Sequence, residues 1–177
     1  MAESWESVPD RELLNTKPAQ TEIILNQIQL IYLNKNVVEN CEFLLVPHQG
    51  RNAISGNLSY KRSLEKLNIR FKMDFEKPDR TRLSMLDYRL DACSVLNGDV
   101  KKNKFIKLIL SILHKQKDFV KRCPVEKNKT YSLNMLEAEN VQFPLPNLKF
   151  IVTTTLYDEA NKERIHEIIV KGATKRK

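Results

Sequence analysis

Leu67-Asn68-Ile69-Arg70-Phe71-Lys72-Met73-Asp74-Phe75-Glu76 decides the fold class. Its apolar residues fall at every second position, with Asn68, Arg70, Lys72, Asp74 and Glu76 between them. At a period of two, Leu67, Ile69, Phe71, Met73 and Phe75 share one face of a strand and the polar side chains share the other. A helix would scatter the same residues around its circumference. Lys77-Pro78-Asp79 closes the strand as a turn.

The pattern spreads in both directions. Upstream, Ile54, Leu58 and Tyr60 alternate with polar neighbours. Cys41, Phe43 and Leu45 share a face before Pro47-His48-Gln49-Gly50 breaks the run. Glu22–Leu33 is rich in Ile and Leu and reads equally as strand or helix. Downstream, a strand runs through Tyr88, Leu90 and Ala92, with Arg89, Asp91 and Cys93 on its other face. Tyr131, Leu133 and Met135 follow later. After Pro144-Leu145-Pro146-Asn147 come Leu148, Phe150, Val152, Thr154 and Leu156. Asp158–Glu163 reads as a polar turn, and His166, Ile168 and Val170 alternate in the last strand.

The period changes once. In Asn103–Phe119, Phe105, Ile106, Ile109, Leu110, Ile112 and Leu113 recur at spacings of three and four, with Lys104, Lys107, Ser111, His114 and Lys115 opposite. This predicts one amphipathic helix, capped by Asn103 and ended before Pro124. Strands do not alternate with helices, so parallel βαβ units are not expected. The expected architecture is mainly β: an antiparallel sandwich of seven or eight strands with one amphipathic helix. Residues 1–20 read as a polar flexible tail, 21–172 as the domain and 173–177 as a basic tail.

A chain of 177 residues suits one domain. Mean hydropathy is −0.45, and no apolar run reaches about 18 residues, which excludes a membrane-spanning helix. Four glycines leave little room for phosphate-cradling loops. The net charge of +8 is concentrated between Lys101 and Lys129. A stretch of this kind attracts phosphates or anionic lipid, or simply keeps a helix face wet. It lacks interleaved exposed aromatics, so nucleic-acid binding is not expected.

The residues offer no reaction. His48, His114 and His166 do not stand at metal-ligand spacing with another His or a Cys. No Gly-x-Ser-x-Gly, Walker loop or dinucleotide fingerprint occurs. Asp87, Arg89 and Asp91 read as a surface ion cluster. Neither enzyme, cofactor nor metal is therefore expected. The N-terminal stretch lacks a basic region followed by an apolar core, so it does not read as a secretory signal. Two sequons, Asn57-Leu58-Ser59 and Asn128-Lys129-Thr130, are about what chance supplies among 15 Asn. Three cysteines cannot all pair within one chain.

Leu90-Asp91-Ala92-Cys93-Ser94-Val95-Leu96 and Arg122-Cys123-Pro124-Val125, with the helix between them and Leu145-Pro146 after it, carry a resemblance. The chain over about 22–172 resembles an insect family of small secreted proteins that includes CheB-type chemosensory proteins. That family is placed near the ML lipid-recognition superfamily. The resemblance implies an immunoglobulin-like β-sandwich, a Cys93–Cys123 disulfide and secretion. The family's further cysteine has no counterpart near Leu30, which leaves Cys41 unpaired, and its Gly after the Leu-Pro turn is replaced near Leu148.

The functional expectation is a non-enzymatic protein that holds a lipid or other apolar small molecule between two sheets, in an extracellular and chemosensory setting. Candidate pocket residues are Ile69, Phe71, Met73, Phe75, Phe105, Ile109, Phe150, Val152 and Leu156. Lys104, Lys107 and Lys115 are candidates for a head-group or partner patch. The alternative is a solid-core interaction module that uses the basic helix face toward a protein partner of unknown identity.

Overall fold

The computed structural model describes residues 20–99, 104–138 and 146–176. Strand β1 spans Thr21–Leu33, β2 Val38–His48, β3 Arg51–Tyr60, β4 Leu67–Glu76 and β5 Arg82–Asp91. Helices α1 (Ala92–Leu96) and α2 (Lys104–His114) follow, then β6 (Tyr131–Leu136), β7 (Lys149–Asp158) and β8 (Glu163–Arg176). Among the described residues these strands form two sheets, ordered β1-β8-β7-β4-β5 and β2-β3-β6. Every paired neighbour is antiparallel. The chain is thus the expected mainly-β, antiparallel sandwich.

The ambiguity of Glu22–Leu33 resolves to strand because β8 lies beside it from Thr21↔Arg176 to Leu33↔His166. The same pairing corrects the expected basic tail at 173–177. Ala173, Thr174, Lys175 and Arg176 continue β8 because β1 supplies ladder partners for all four. The expected tail at 1–20 lies outside the described residues except for Gln20, as does Lys177.

The β2–β3 hairpin turns on Gln49 and Gly50, whose φ values are 49° and 79°. Two residues with positive φ match the twist of a tight hairpin, and glycine meets that demand at no steric cost.

A second correction concerns Cys93. It does not sit on the outer face of a strand, because β5 stops at Asp91 and a short helix begins. The Asp91 carboxylate accepts a hydrogen bond from the Ser94 N–H at 3.0 Å, the usual device for starting a helix. The chain therefore has a second, five-residue helix besides the expected amphipathic one. The latter ends at His114, short of Phe119. Its expected cap, Asn103, lies outside the described residues.

The expected Asp87–Arg89–Asp91 cluster holds in part, since after the hydrogen bond from Arg70 the Arg89 charge helps to lower the Asp87 pKa, but the hydrogen bonds of its members go elsewhere. Asp87 pairs with Arg70 through two bonds of 2.8 and 2.6 Å. Arg89 lies over the Tyr157 ring, 5.2 Å from its centroid, and Asp91 caps α1.

Buried apolar side chains form two clusters. The larger joins both sheets through Val38, Leu58, Tyr60, Leu67, Tyr131, Leu156 and Ile165. The smaller centres on Leu25, Phe75 and Phe150, with Met73 and Val152 packed against it.

Candidate functional site

Alternation aims one face of each strand at the opposite sheet, but the two faces do not meet everywhere. Between them lies a cavity of about 320 Å³. One wall is the five-stranded sheet, through Ile69 and Phe71 of β4, Tyr88 and Leu90 of β5, Leu156 of β7, and His166, Ile168 and Val170 of β8. The facing wall is Phe43 of β2, Ile54, Leu58 and Tyr60 of β3, and Leu133 of β6. Val95 and Leu96 of α1 and Ile106, Ile109, Leu110 and Leu113 of α2 close a third side.

The helix does this because its apolar residues fall at i, i+3, i+4 and i+7, one contiguous stripe. Ile106 and Leu110 are buried, whereas Lys107 is exposed. Tyr88 lines the cavity and is 40% exposed, so the mouth opens beside β5.

The roof is tied down covalently. Cys93 in α1 and Cys123 after α2 form a disulfide with Cα atoms 5.4 Å apart. The next residues are anchored as well. Val125 exchanges two 2.9 Å backbone hydrogen bonds with Leu64, at the connection between β3 and β4.

The nine pocket candidates separate by position along the strands. Ile69, Phe71, Ile109 and Leu156 line the cavity. Met73, Phe75, Phe150 and Val152 pack together at the other end of the sandwich and do not border it. The physical reason is register. Phe75 stands opposite Phe150, and Met73 opposite Val152, and these side chains with Leu25, Leu45 and Ile54 fill that end. The Phe105 side chain lies outside the described residues.

Of the basic candidates, Lys107 and Lys115 are exposed on and just after α2, and the Lys104 side chain lies outside the described residues. Other members of the basic stretch gather elsewhere. Lys117, Lys121, Arg122 and Lys129, with Asp118 and Glu126, line a second cleft of about 310 Å³. Phe119 borders both hollows. In this cleft Lys121 donates to the His114 carbonyl at 2.7 Å, and Lys129 pairs with Glu126 at 3.3 Å.

No charged side chain lines the apolar cavity among the described residues. Its polar features include Tyr60 and His166, whose hydroxyl and Nε2 lie 3.5 Å apart. Burial lowers the His166 pKa to about 4. Burial raises the Tyr60 phenol well above its ordinary value, with the neighbouring Cys41 and Tyr131 adding to the effect. Burial likewise pushes the free Cys41 thiol up to about 11, with a contribution from Glu42. All three are uncharged at neutral pH.

Sequence reasoning missed Tyr60, His166 and Phe43 as cavity residues. The signal was present, since each occupies the apolar phase of its strand. No described helix is long and apolar enough to cross a membrane.

A family model described as "Protein of unknown function (DUF1091)" matches residues 67–152, from β4 into β7, including both helices and the disulfide. No curated protein matches the chain. Among solved structures, the chain is similar to chicken MD-1 complexed with lipid IVa. Identity is 10%, 83% of this chain and 96% of that one are covered, and the TM-score is 0.40. It is also similar to a Niemann-Pick type C2 protein from Japanese carpenter ant, at 11% identity, 84% and 89% coverage and a TM-score of 0.31.

Proposed function

We propose that this protein is a non-enzymatic carrier that holds a lipid or other apolar small molecule between its two sheets. The observation that supports the reading is the cavity of about 320 Å³ with uncharged walls. Its size falls within the range of roughly 300–1,000 Å³ usual for small-molecule sites. Binding draws on burial, since each methylene taken from water contributes about 0.8 kcal/mol. An interior that stayed empty would leave its lining without contact partners on one side. The solid interior assumed by the interaction-module alternative does not hold at this end.

The disulfide supports an oxidising compartment, and with it the finer reading of a secreted protein. The resemblance of residues 90–96 and 122–125 extends that reading to chemosensation, which immunolocalisation to the fluid bathing sensory cells would test. Lys107 and Lys115 would serve the outer end of a ligand longer than the cavity.

The central test is displacement of the fluorescent apolar probe N-phenyl-1-naphthylamine by decan-1-ol. The expected result is one saturable probe site, emptied by the alcohol and lost in Ile109→Trp, which fills the roof side of the cavity. A folded protein that takes up no probe, and that flies ligand-free in native mass spectrometry from two expression hosts, overturns the carrier reading.

A further inference from the structure

The cavity is almost wholly hydrocarbon; of the four hydrogen-bonding side chains that border it, Tyr60, Tyr88, Thr154 and His166, only Tyr60 and His166 are buried, and they stand beside each other. We propose that this pair seats the polar end of the cargo, and that the cavity selects an uncharged alcohol over a carboxylate, an ether or a plain hydrocarbon of the same length. The inference rests on the carrier reading and specifies the chemical class of its ligand.

Three observations carry it. The first is the incomplete bonding of the pair. Tyr60 is 2% and His166 6% exposed, so solvent does not serve them. Their mutual contact is 3.5 Å, long beside the roughly 2.7–2.9 Å of a well-formed hydrogen bond to a hydroxyl. His166 Nδ1 is buried without any partner. Buried polar atoms are nearly always bonded, so the pair is under-bonded as it stands.

The second is a count of donors and acceptors. A phenol and a neutral imidazole together offer two donors and at least two acceptors. If Tyr60 O–H donates to Nε2, the Nδ1–H and the phenol oxygen remain unused. If Nε2–H donates to the phenol oxygen, the phenol O–H and Nδ1 remain. Either tautomer leaves one donor and one acceptor. The two ring nitrogens point to opposite sides of the imidazole, so one cargo group meets only the phenol. There a hydroxyl group can donate to the phenol oxygen or accept from the phenol O–H and so serves either tautomer, whereas an ether can only accept and a hydrocarbon does neither.

The third is the absence of charge. Among the described lining residues there is no Lys, Arg, Asp or Glu, and burial keeps His166 neutral at physiological pH. A carboxylate carried inward would find no counter-charge, and an unpaired buried anion is strongly disfavoured.

The test measures affinities of decan-1-ol, 1-methoxydecane and decanoate by probe displacement at pH 7.5, for the wild type and Tyr60→Phe. Tyr60→Phe keeps the ring and removes the hydroxyl. Decan-1-ol is expected to bind about tenfold tighter than its methyl ether, and tighter than decanoate. In Tyr60→Phe the preference over the ether should shrink to about twofold.

Imidazole nitrogen NMR provides a readout on the unmodified protein. Decan-1-ol should shift the His166 ring signals, and 1-methoxydecane should shift them less. Equal affinities for alcohol and ether, a preference that survives Tyr60→Phe, His166 signals that ignore the alcohol, or decanoate as the tightest ligand would each overturn the proposal. If no compound of the series binds, the carrier reading falls and this inference falls with it. If the ether and decanoate bind as well as the alcohol, the carrier reading stands and only the alcohol preference is lost.

Discussion

Strands β4 and β7 pass through two ends of one sandwich that are filled in opposite ways. At one end Phe75 faces Phe150 across the ladder, and Leu25 packs with both rings. Gly172 lies beside Phe150 in β8. A Cβ at that glycine would stand 2.4 Å from Phe150 Cζ and 2.4 Å from the Ile24 carbonyl oxygen, so the ring packs directly against bare backbone. At the other end Ile69, Phe71 and Leu156 face Leu58, Tyr60 and Leu133 across the cavity, and α2 covers the opening. The alternation of apolar and polar residues is the same at both ends. What differs is the filling: two aromatic rings in register close one end, whereas a helix stripe and a tied loop roof the other.

The largest expected effect tests this contrast directly. Phe75→Ala removes a ring from a closely packed site and should cost about 4 kcal/mol. Phe71→Ala enlarges a space that already exists and should cost less, about 2 kcal/mol, because the ring already borders the cavity. Urea unfolding of the two variants gives the comparison, and equal costs would mean that the ends are packed alike.

The disulfide sharpens the contrast next. Its cysteines are 30 residues apart in sequence, and replacing both with Ser should cost about 3–4 kcal/mol in loop-closure entropy. Hydrogen exchange should show the loss concentrated in α1, α2 and the Leu64–Val125 bridge, with Phe75, Phe150 and their strands still protected. Uniform deprotection of both ends would contradict the division.

The smallest effect is a pH dependence that belongs to the hollow end. His166 binds its proton near pH 4 in the fold and near 6.5 when free. Above pH 6.5 neither state is protonated there and the group costs nothing. As pH falls from 6.5 to 4 only the unfolded chain takes up the proton, so stability declines by about 3 kcal/mol. Asp158 and Glu163 are held below their ordinary range, Glu163 chiefly by its hydrogen bond from Arg62 and Asp158 by those from Asn161 and Arg62, against its own burial. Their losses therefore begin at about pH 4.5 and below. His166→Asn should flatten the melting-temperature profile between pH 4 and 6.5 and leave the steeper fall below it. A variant with an unchanged slope would place the titrating group elsewhere.

Much of the fold was legible residue by residue. Leu67 to Phe75 declared a strand because period two is a covalent property of extended backbone. Ile106, Ile109, Leu110 and Leu113 declared a helix face for the corresponding reason. Less was legible at the site. Phe71 and Phe75 are four residues apart in one apolar phase, and nothing local tells which borders a space and which fills one. Tyr60 and His166 lie 106 residues apart, and each alone reads as an ordinary core residue. Cys93 looked like the end of a strand because Asp91 as a helix cap and Asp91 as a strand residue are the same letter in the sequence.

By itself, then, the order of amino acids determined the strand and helix periods, the apolar faces and the concentration of positive charge, since each depends on neighbours within a few bonds. The resemblance in residues 90–96 and 122–125 supplied the pairing of Cys93 with Cys123. Only the tertiary structure decided that β8 runs on through Arg176, which end of the sandwich stays open, and that a phenol and an imidazole share its wall. Those outcomes depend on the volume left when distant faces are brought together, and side chains remote in sequence set that volume jointly.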